Sequence, residues 1–151
     1  MSLHESSQGF TLVETLIVVA ITAMISGISL VSLASLSKNE ALSANTTAIA
    51  TRLRDARAQT LASVGGMQYG VLIDTTSVTF FRGATYDAAT STNDVFVLSG
   101  YVSASSSIQS FVFERITGNA SASGTIDVYL RSDSTKKKTV TVQTSGLVNI
   151  Q

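Results

Sequence analysis

Few side chains in this sequence could do chemistry, and one of them sits in an unusual place. Glu14 stands at the edge of a charge-free apolar run, residues 15–37. An unpaired carboxylate in lipid costs about 2–4 kcal/mol on insertion scales, so that position calls for a partner or a function. Lys136, Lys137 and Lys138, with Arg131 nearby, form the only basic cluster of the C-terminal half. Such a cluster can attract phosphates, those of nucleic acid included. Asp133 adjoins it and no aromatic residue is interleaved, which reads as a solvated loop. Asp74, Asp87, Asp94, Glu114, Asp127 and Asp133 are spread over separate segments and build no Asp-x-Asp-x-Asp-Gly loop for calcium. Cysteine is absent, and the single histidine, His4, precedes the apolar run. Without a thiolate, a zinc–sulfur site or a downstream imidazole base, most familiar catalytic constellations are excluded. No phosphate-cradling glycine loop is present either. Neither enzymatic activity nor a metal or cofactor is expected.

The apolar run sets the frame for these residues. Its roughly 23 residues make about 35 Å of helix, enough to cross a bilayer. The rest of the 151 residues suffices for one modest domain. Ten basic and ten acidic side chains cancel, so net charge gives no argument for a nucleic-acid partner. Taken by itself, the run fits a secretory signal cut after Ser32-Leu33-Ala34, a plain anchor, or an anchor processed ahead of the run. A signal peptide should open with basic residues and carry a shorter apolar core, and residues 1–9 contain no Lys or Arg. Lys38, Arg52, Arg54 and Arg57 follow the run, which on the positive-inside tendency alone would place the C-terminal part in the cytoplasm.

Helical patterning continues past Ser37. Leu42, Ile49, Leu53, Ala56, Thr60 and Val64 make a narrow apolar stripe, with Arg52 and Asp55 spaced to pair and Gly65-Gly66 as a stop signal. One helix from about Thr11 to Val64 is expected, with Gly27 as its close-packing or bending point. The period then changes to two. Strands are expected at 67–73, 77–82, 95–98, 101–102, 111–114, 125–131, 139–143 and 147–150, the last two as a hairpin around Ser145-Gly146. Residues 83–93 and 117–124 read as loops. Tyr69, Phe80, Phe81, Phe111 and Phe113 read as core, and Glu114-Arg115 as a local or intersubunit ion pair. The expected fold class is α+β: a long N-terminal helix, membrane-spanning in its first half, packed against a C-terminal antiparallel β-domain. The boundaries are 1–9, 10–37, 38–64 and 67–151.

Gly9-Phe10-Thr11-Leu12-Val13-Glu14, followed by Thr15-Leu16-Ile17, resembles the class III signal of type IV pilins and pseudopilins. The resemblance implies a leader, residues 1–9, removed by a prepilin peptidase that cuts between Gly9 and Phe10 and methylates the Phe10 amine. It also implies an assembly role for Glu14, which would meet the N-terminal amine of a neighbouring subunit. Residues 111–118 (FVFERITG), Ser123-Gly124-Thr125-Ile126, Ser145-Gly146-Leu147-Val148 and residues 54–60 resemble H-type minor pseudopilins of type II secretion and related minor pilins. The implied partners are other pilin subunits, the prepilin peptidase, an inner-membrane assembly platform and membrane lipid. The implied location is a single-pass inner-membrane protein with its C-terminal domain outside the cytoplasm. A minor type IV pilin acting in adhesion or DNA uptake is the alternative, with Arg131, Lys136, Lys137 and Lys138 as its nucleic-acid contacts.

Overall fold

The computed structural model describes residues 10–151, apart from the side chains of residues 27–34. The chain divides into two compact units, Met1–Ser37 and Lys38–Gln151. A single helical element, α1 (Leu12–Leu61), contributes to both. In the second unit its inward face is the expected stripe, widened by small polar residues. Leu42, Thr46, Ile49, Ala50, Leu53, Ala56 and Thr60 are all buried, at the spacing that puts them on one side of a helix. Thr46 and Thr60 donate their hydroxyls to the carbonyls of Leu42 and Ala56, so their polar atoms are satisfied within the helix.

The helix ends at Leu61, earlier than the glycine pair suggests. Ser63, Gly65 and Gly66 all adopt positive φ, and a single 3₁₀ turn, Val64–Gly66, carries the chain away from the helix axis. Val64 therefore leaves the buried stripe and is 44% exposed. Two contacts fix this corner. The Tyr69 backbone N–H donates to Thr60 Oγ1 at 3.0 Å, and the Tyr69 hydroxyl donates to the Val64 carbonyl at 3.1 Å.

Eight strands follow: β1 (Tyr69–Ile73), β2 (Ser77–Arg82), β3 (Asp94–Val97), β4 (Val102–Ser106), β5 (Ser110–Val112), β6 (Gly124–Leu130), β7 (Asp133–Val142) and β8 (Val148–Ile150). They form two four-stranded sheets, β3-β2-β1-β5 and β4-β6-β7-β8, and every named pairing is antiparallel. The β-domain is thus antiparallel as expected, but split between two sheets. The Ala104 N–H reaches from β4 to the Thr75 carbonyl in the β1–β2 turn at 3.0 Å. One core joins α1 to both sheets, with Tyr69, Phe111, Phe113, Ile126, Val128 and Val140 at its centre. Phe81 is also fully buried, whereas Phe80 is only partly so.

The largest departure in the strands is β7. The Lys136, Lys137 and Lys138 run is not a hairpin loop but part of a ten-residue strand. The hairpin is tighter than expected, because Leu130 already pairs with Asp133 and a register shift at Tyr129/Leu130 takes up the extra residues. The first half of β7 looks loop-like because residues 134–137 are exposed in succession, on both faces of the strand, and so carry no apolar alternation.

Candidate assembly site

Glu14 lies in the first turn of α1, three residues after Thr11. Thr11 caps that turn. Its Oγ1 accepts the Glu14 N–H at 3.3 Å, and its carbonyl accepts both the Thr15 N–H at 3.2 Å and the Thr15 hydroxyl at 3.0 Å. The Thr-x-x-Glu spacing is that of a capping box, where the free N–H groups of a helix start favour a carboxylate. Here the reciprocal half of the box is not made. Among the described residues the Glu14 carboxylate has neither a hydrogen-bond donor nor a cation against it.

The surface around that acid is apolar on every side. Leu12, Val13, Leu16, Ile17, Val18, Val19, Ile21, Met24 and Ile25 are each 51–80% exposed, and Phe10 is 83% exposed. At 3.6 residues per turn these positions encircle the helix, and a helix apolar all round belongs in lipid or in a packed bundle. The polar residues among them are compatible with either. Thr22 Oγ1 donates to the Val18 carbonyl, and Ser26 Oγ donates to the Thr22 carbonyl at 2.7 Å. Their hydroxyls thus need no outside partner, which suits a medium without water. Among the described residues no helix is long and apolar enough to cross a membrane. The expected span, residues 10–37, runs through residues 27–34, Gly27 and Ser32-Leu33-Ala34 included, whose side chains lie outside the description. His4, Gly9 and the rest of the leader, residues 1–9, also lie outside the described residues.

The basic cluster is largely occupied within the chain. Lys137 Nζ bonds Asp127 Oδ2 at 2.8 Å, and Thr139 Oγ1 donates to Asp127 Oδ1 at 2.7 Å. These hydrogen bonds, led by that from Lys137, hold the Asp127 carboxyl below the usual aspartate range. Lys138 Nζ donates to Ser43 Oγ on α1 at 2.8 Å. Arg131 Nε is shared between the Val102 carbonyl at 3.1 Å and Ser103 Oγ at 2.9 Å. Asp133 is lowered as well, first by the Thr135 hydroxyl and then by the Thr135 backbone N–H. Lys136 is left exposed on the strand.

Other expected pairs are rearranged. Arg52 ignores Asp55 and reaches Asp94 Oδ2 at the start of β3, 2.6 Å away, with its guanidinium carbon 5.0 Å from the Phe96 ring centroid. A partner from a strand, with an aromatic face beside it, supplies more contact than a neighbour on the same helix. Glu114 accepts from the Thr117 hydroxyl at 3.2 Å, and no ion pair with Arg115 exists among the described residues. β5 has already ended at Val112, so the two charges lie on a turn.

Two arginines that the sequence offered only as charges after the apolar run and as part of the 54–60 resemblance fasten α1 to the C-terminal loops. Arg54 Nη2 donates to the Val148 carbonyl at 2.9 Å, and Arg57 bonds the carbonyls of Gly118 and Ser145. Gly118 and Gly146 sit against this clamp at φ 66° and 76°. A signal existed in the positive-φ-tolerant glycines of two loops, but nothing in the sequence links them to a particular helix position.

A helix with an apolar, acid-bearing start and a two-sheet β-domain is the architecture of type IV pilin-like proteins. The family model for the prokaryotic N-terminal methylation motif matches residues 6–30. The minor pseudopilin EpsH from the Type 2 Secretion System of Vibrio cholerae is similar in structure over 73% of this chain and 95% of its own, with a TM-score of 0.57 and 16% identity. The type IV minor pilin FimU of Pseudomonas aeruginosa strain PAO1 is similar over 73% of this chain and 87% of its own, with a TM-score of 0.59 and 9% identity. At such identities the likeness is one of fold. A search of the curated proteins finds no significant match. Motif and fold together make this chain similar to type IV pilin-like proteins, the N-terminal segment through the methylation motif and the rest through its fold.

Proposed function

We propose that the chain is a minor pseudopilin, a structural subunit rather than an enzyme, that enters a short filament of a type II secretion machine. The observation that carries this reading is the Glu14 carboxylate, unpaired among the described residues, in the first turn of a helix whose exposed surface over residues 12–25 is predominantly apolar all round. Cleavage between Gly9 and Phe10 would leave a cationic amine four residues from that acid. The Phe10 amine of one subunit and Glu14 of the next then neutralise each other where an isolated charge of either sign is costly. Residues 10–37 anchor the chain in the inner membrane before assembly, with the β-domain outside the cytoplasm. The prepilin peptidase, an assembly platform and other pilin subunits are its partners. The fold is shared with EpsH and equally with FimU, so the choice of type II secretion over a pilus rests on the resemblance of residues 54–60 and 111–118 to H-type minor pseudopilins. The engagement of Arg131, Lys137 and Lys138 within the domain gives a nucleic-acid role no support.

Mass spectrometry of the mature N-terminus tests this directly. The expected species begins at Phe10 and carries an N-methyl group. An N-terminus at Ser35, the product of ordinary signal cleavage, would overturn the reading.

A further inference from the structure

β3 is the outermost strand of its sheet, and its free edge is unprotected. The Leu98 N–H donates to the Thr76 carbonyl at 2.9 Å, one step beyond the Ser77↔Val97 pair. Antiparallel residues alternate between bonded and non-bonded pairs. Asp94, Phe96 and Leu98 therefore bond to β2, and the N–H and C=O groups of Val95 and Val97 turn outward. Among the described residues nothing in the chain pairs with them. Both valine side chains are exposed, at 54% and 70%, so no charge or proline blunts this edge at those positions.

An open groove of about 920 Å³ lies beside the strand. Phe96 lines one side, and the flank of α1 lines the other with the small residues Ala44, Thr47 and Ala48. A strand added about 4.8 Å outside β3 enters this groove, and small side chains leave room for its backbone. The charges in the groove select the occupant. Asp94 is neutralised by Arg52, but Glu40 and Asp55 have no ion-pair partner among the described residues. Lys138, whose ammonium bonds the lining Ser43, offsets one of these acids and the other leaves the groove net acidic, which disfavours the same edge of a second copy and favours a cationic chain. We infer that β3 is a docking edge for an extended, lysine- or arginine-bearing segment of a partner protein, which adds to the sheet as a fifth strand beside α1.

The test uses the full chain in detergent micelles and three capped nine-residue peptides of alternating valine and polar residues. One carries lysines, one glutamates, and one carries lysines with alternate backbone nitrogens methylated. Binding of the lysine peptide should slow amide exchange at Val95 and Val97 at least tenfold, with an effect that weakens as salt is raised. The glutamate and N-methylated peptides should not do so. Val97→Pro removes an outward N–H without touching the β2 ladder, so it should abolish binding with the circular dichroism unchanged. If that variant does not fold, the N-methylated peptide on the parent chain decides the same point. Unchanged exchange at Val95 and Val97, equal protection by the glutamate peptide, or undiminished binding by folded Val97→Pro would overturn the inference. So would concentration-dependent protection without peptide, which marks pairing between two copies. None of these readouts depends on cleavage at Gly9 or on filament entry, so the inference and the proposed function stand or fall separately.

Discussion

Arg57 Nε lies 3.0 Å from the Gly118 carbonyl oxygen, and the same guanidinium reaches the Ser145 carbonyl at 3.2 Å through Nη2. One side chain of α1 thereby ties down two loops far apart in sequence. The loops also touch each other. A Cβ at position 146 would run into the Gly118 carbonyl and stand 2.6 Å from Arg57 Nε, at a φ of 76° that side chains rarely adopt. Gly146→Ala should therefore destabilise the domain by about 2–4 kcal/mol, combining backbone strain with a displaced clamp. Arg57→Ala, which leaves the carbonyls to water, should cost less, about 1–2 kcal/mol. Denaturant melts read with unchanged m-values check both, and a Gly146→Ala midpoint equal to the parent's would refute the close approach.

The corner between α1 and β1 depends on one hydroxyl. Thr60 Oγ1 donates to the Ala56 carbonyl at 2.8 Å and accepts the buried Tyr69 N–H at 3.0 Å. Thr60→Val keeps the shape and removes the acceptor, leaving a buried N–H unpaired at a cost of about 1–3 kcal/mol. Thr60→Ser keeps the acceptor and should recover most of that loss. Thermal denaturation of the two variants side by side measures the difference. Equal melting temperatures would mean that the hydroxyl does not hold the corner.

The same corner shows how far sequence reading reaches. The stripe from Leu42 to Thr60 was legible because burial against a sheet demands helical spacing. Val64 was misassigned because spacing alone cannot register that Ser63 and Gly65 have turned the chain to positive φ. β6 was legible through its strict alternation, β2 through its β-branched and aromatic residues and the end of β7 through the alternation at 139–142, whereas the lysine-bearing first half of β7 was not. That half is exposed on both faces over residues 134–137, and a strand of that kind matches a polar loop in composition. At the site, the position of Glu14 in the apolar run and its motif were readable. That Thr11 would cap the turn and leave the carboxylate free was not, since capping geometry depends on rotamers.

The pair Asp127 and Lys137 gives a pH dependence of known sign. The folded-state pKa of Asp127 lies below its unfolded value, chiefly because Lys137 and Thr139 donate to it. Its contribution is therefore complete above the unfolded aspartate value of about 3.9 and is lost as pH falls through the lower folded value. Both side chains are partly solvated, so the contribution is about 0–1 kcal/mol. Asp127→Asn should lower stability slightly at pH 7 and flatten the decline below about pH 4. Stability measured from pH 2 to 7 in both proteins checks this, and parallel curves would show that the pair titrates without consequence.

Glu14 decides between an anchor and an assembly contact. If its carboxylate only complements the start of α1, Glu14→Gln should alter little, because capping by Thr11 remains and exposed dipole effects amount to about 0.3–1 kcal/mol. If it neutralises a neighbour's Phe10 amine, the same change strands a charge in an apolar contact at about 3–5 kcal/mol. Every 1.4 kcal/mol is a factor of ten, so incorporation into filaments should then fall at least a hundredfold. Glu14→Lys, which places like charges together, should incorporate less still. Cleavage at Gly9-Phe10 and methylation of Phe10 should proceed normally in both variants, since neither step uses the neighbouring subunit. The measurement is the ratio of filament-associated to membrane-retained protein, with the mature N-terminus verified by mass spectrometry. Normal incorporation of processed Glu14→Gln would sink the pairing and leave Glu14 as a helix-start charge alone.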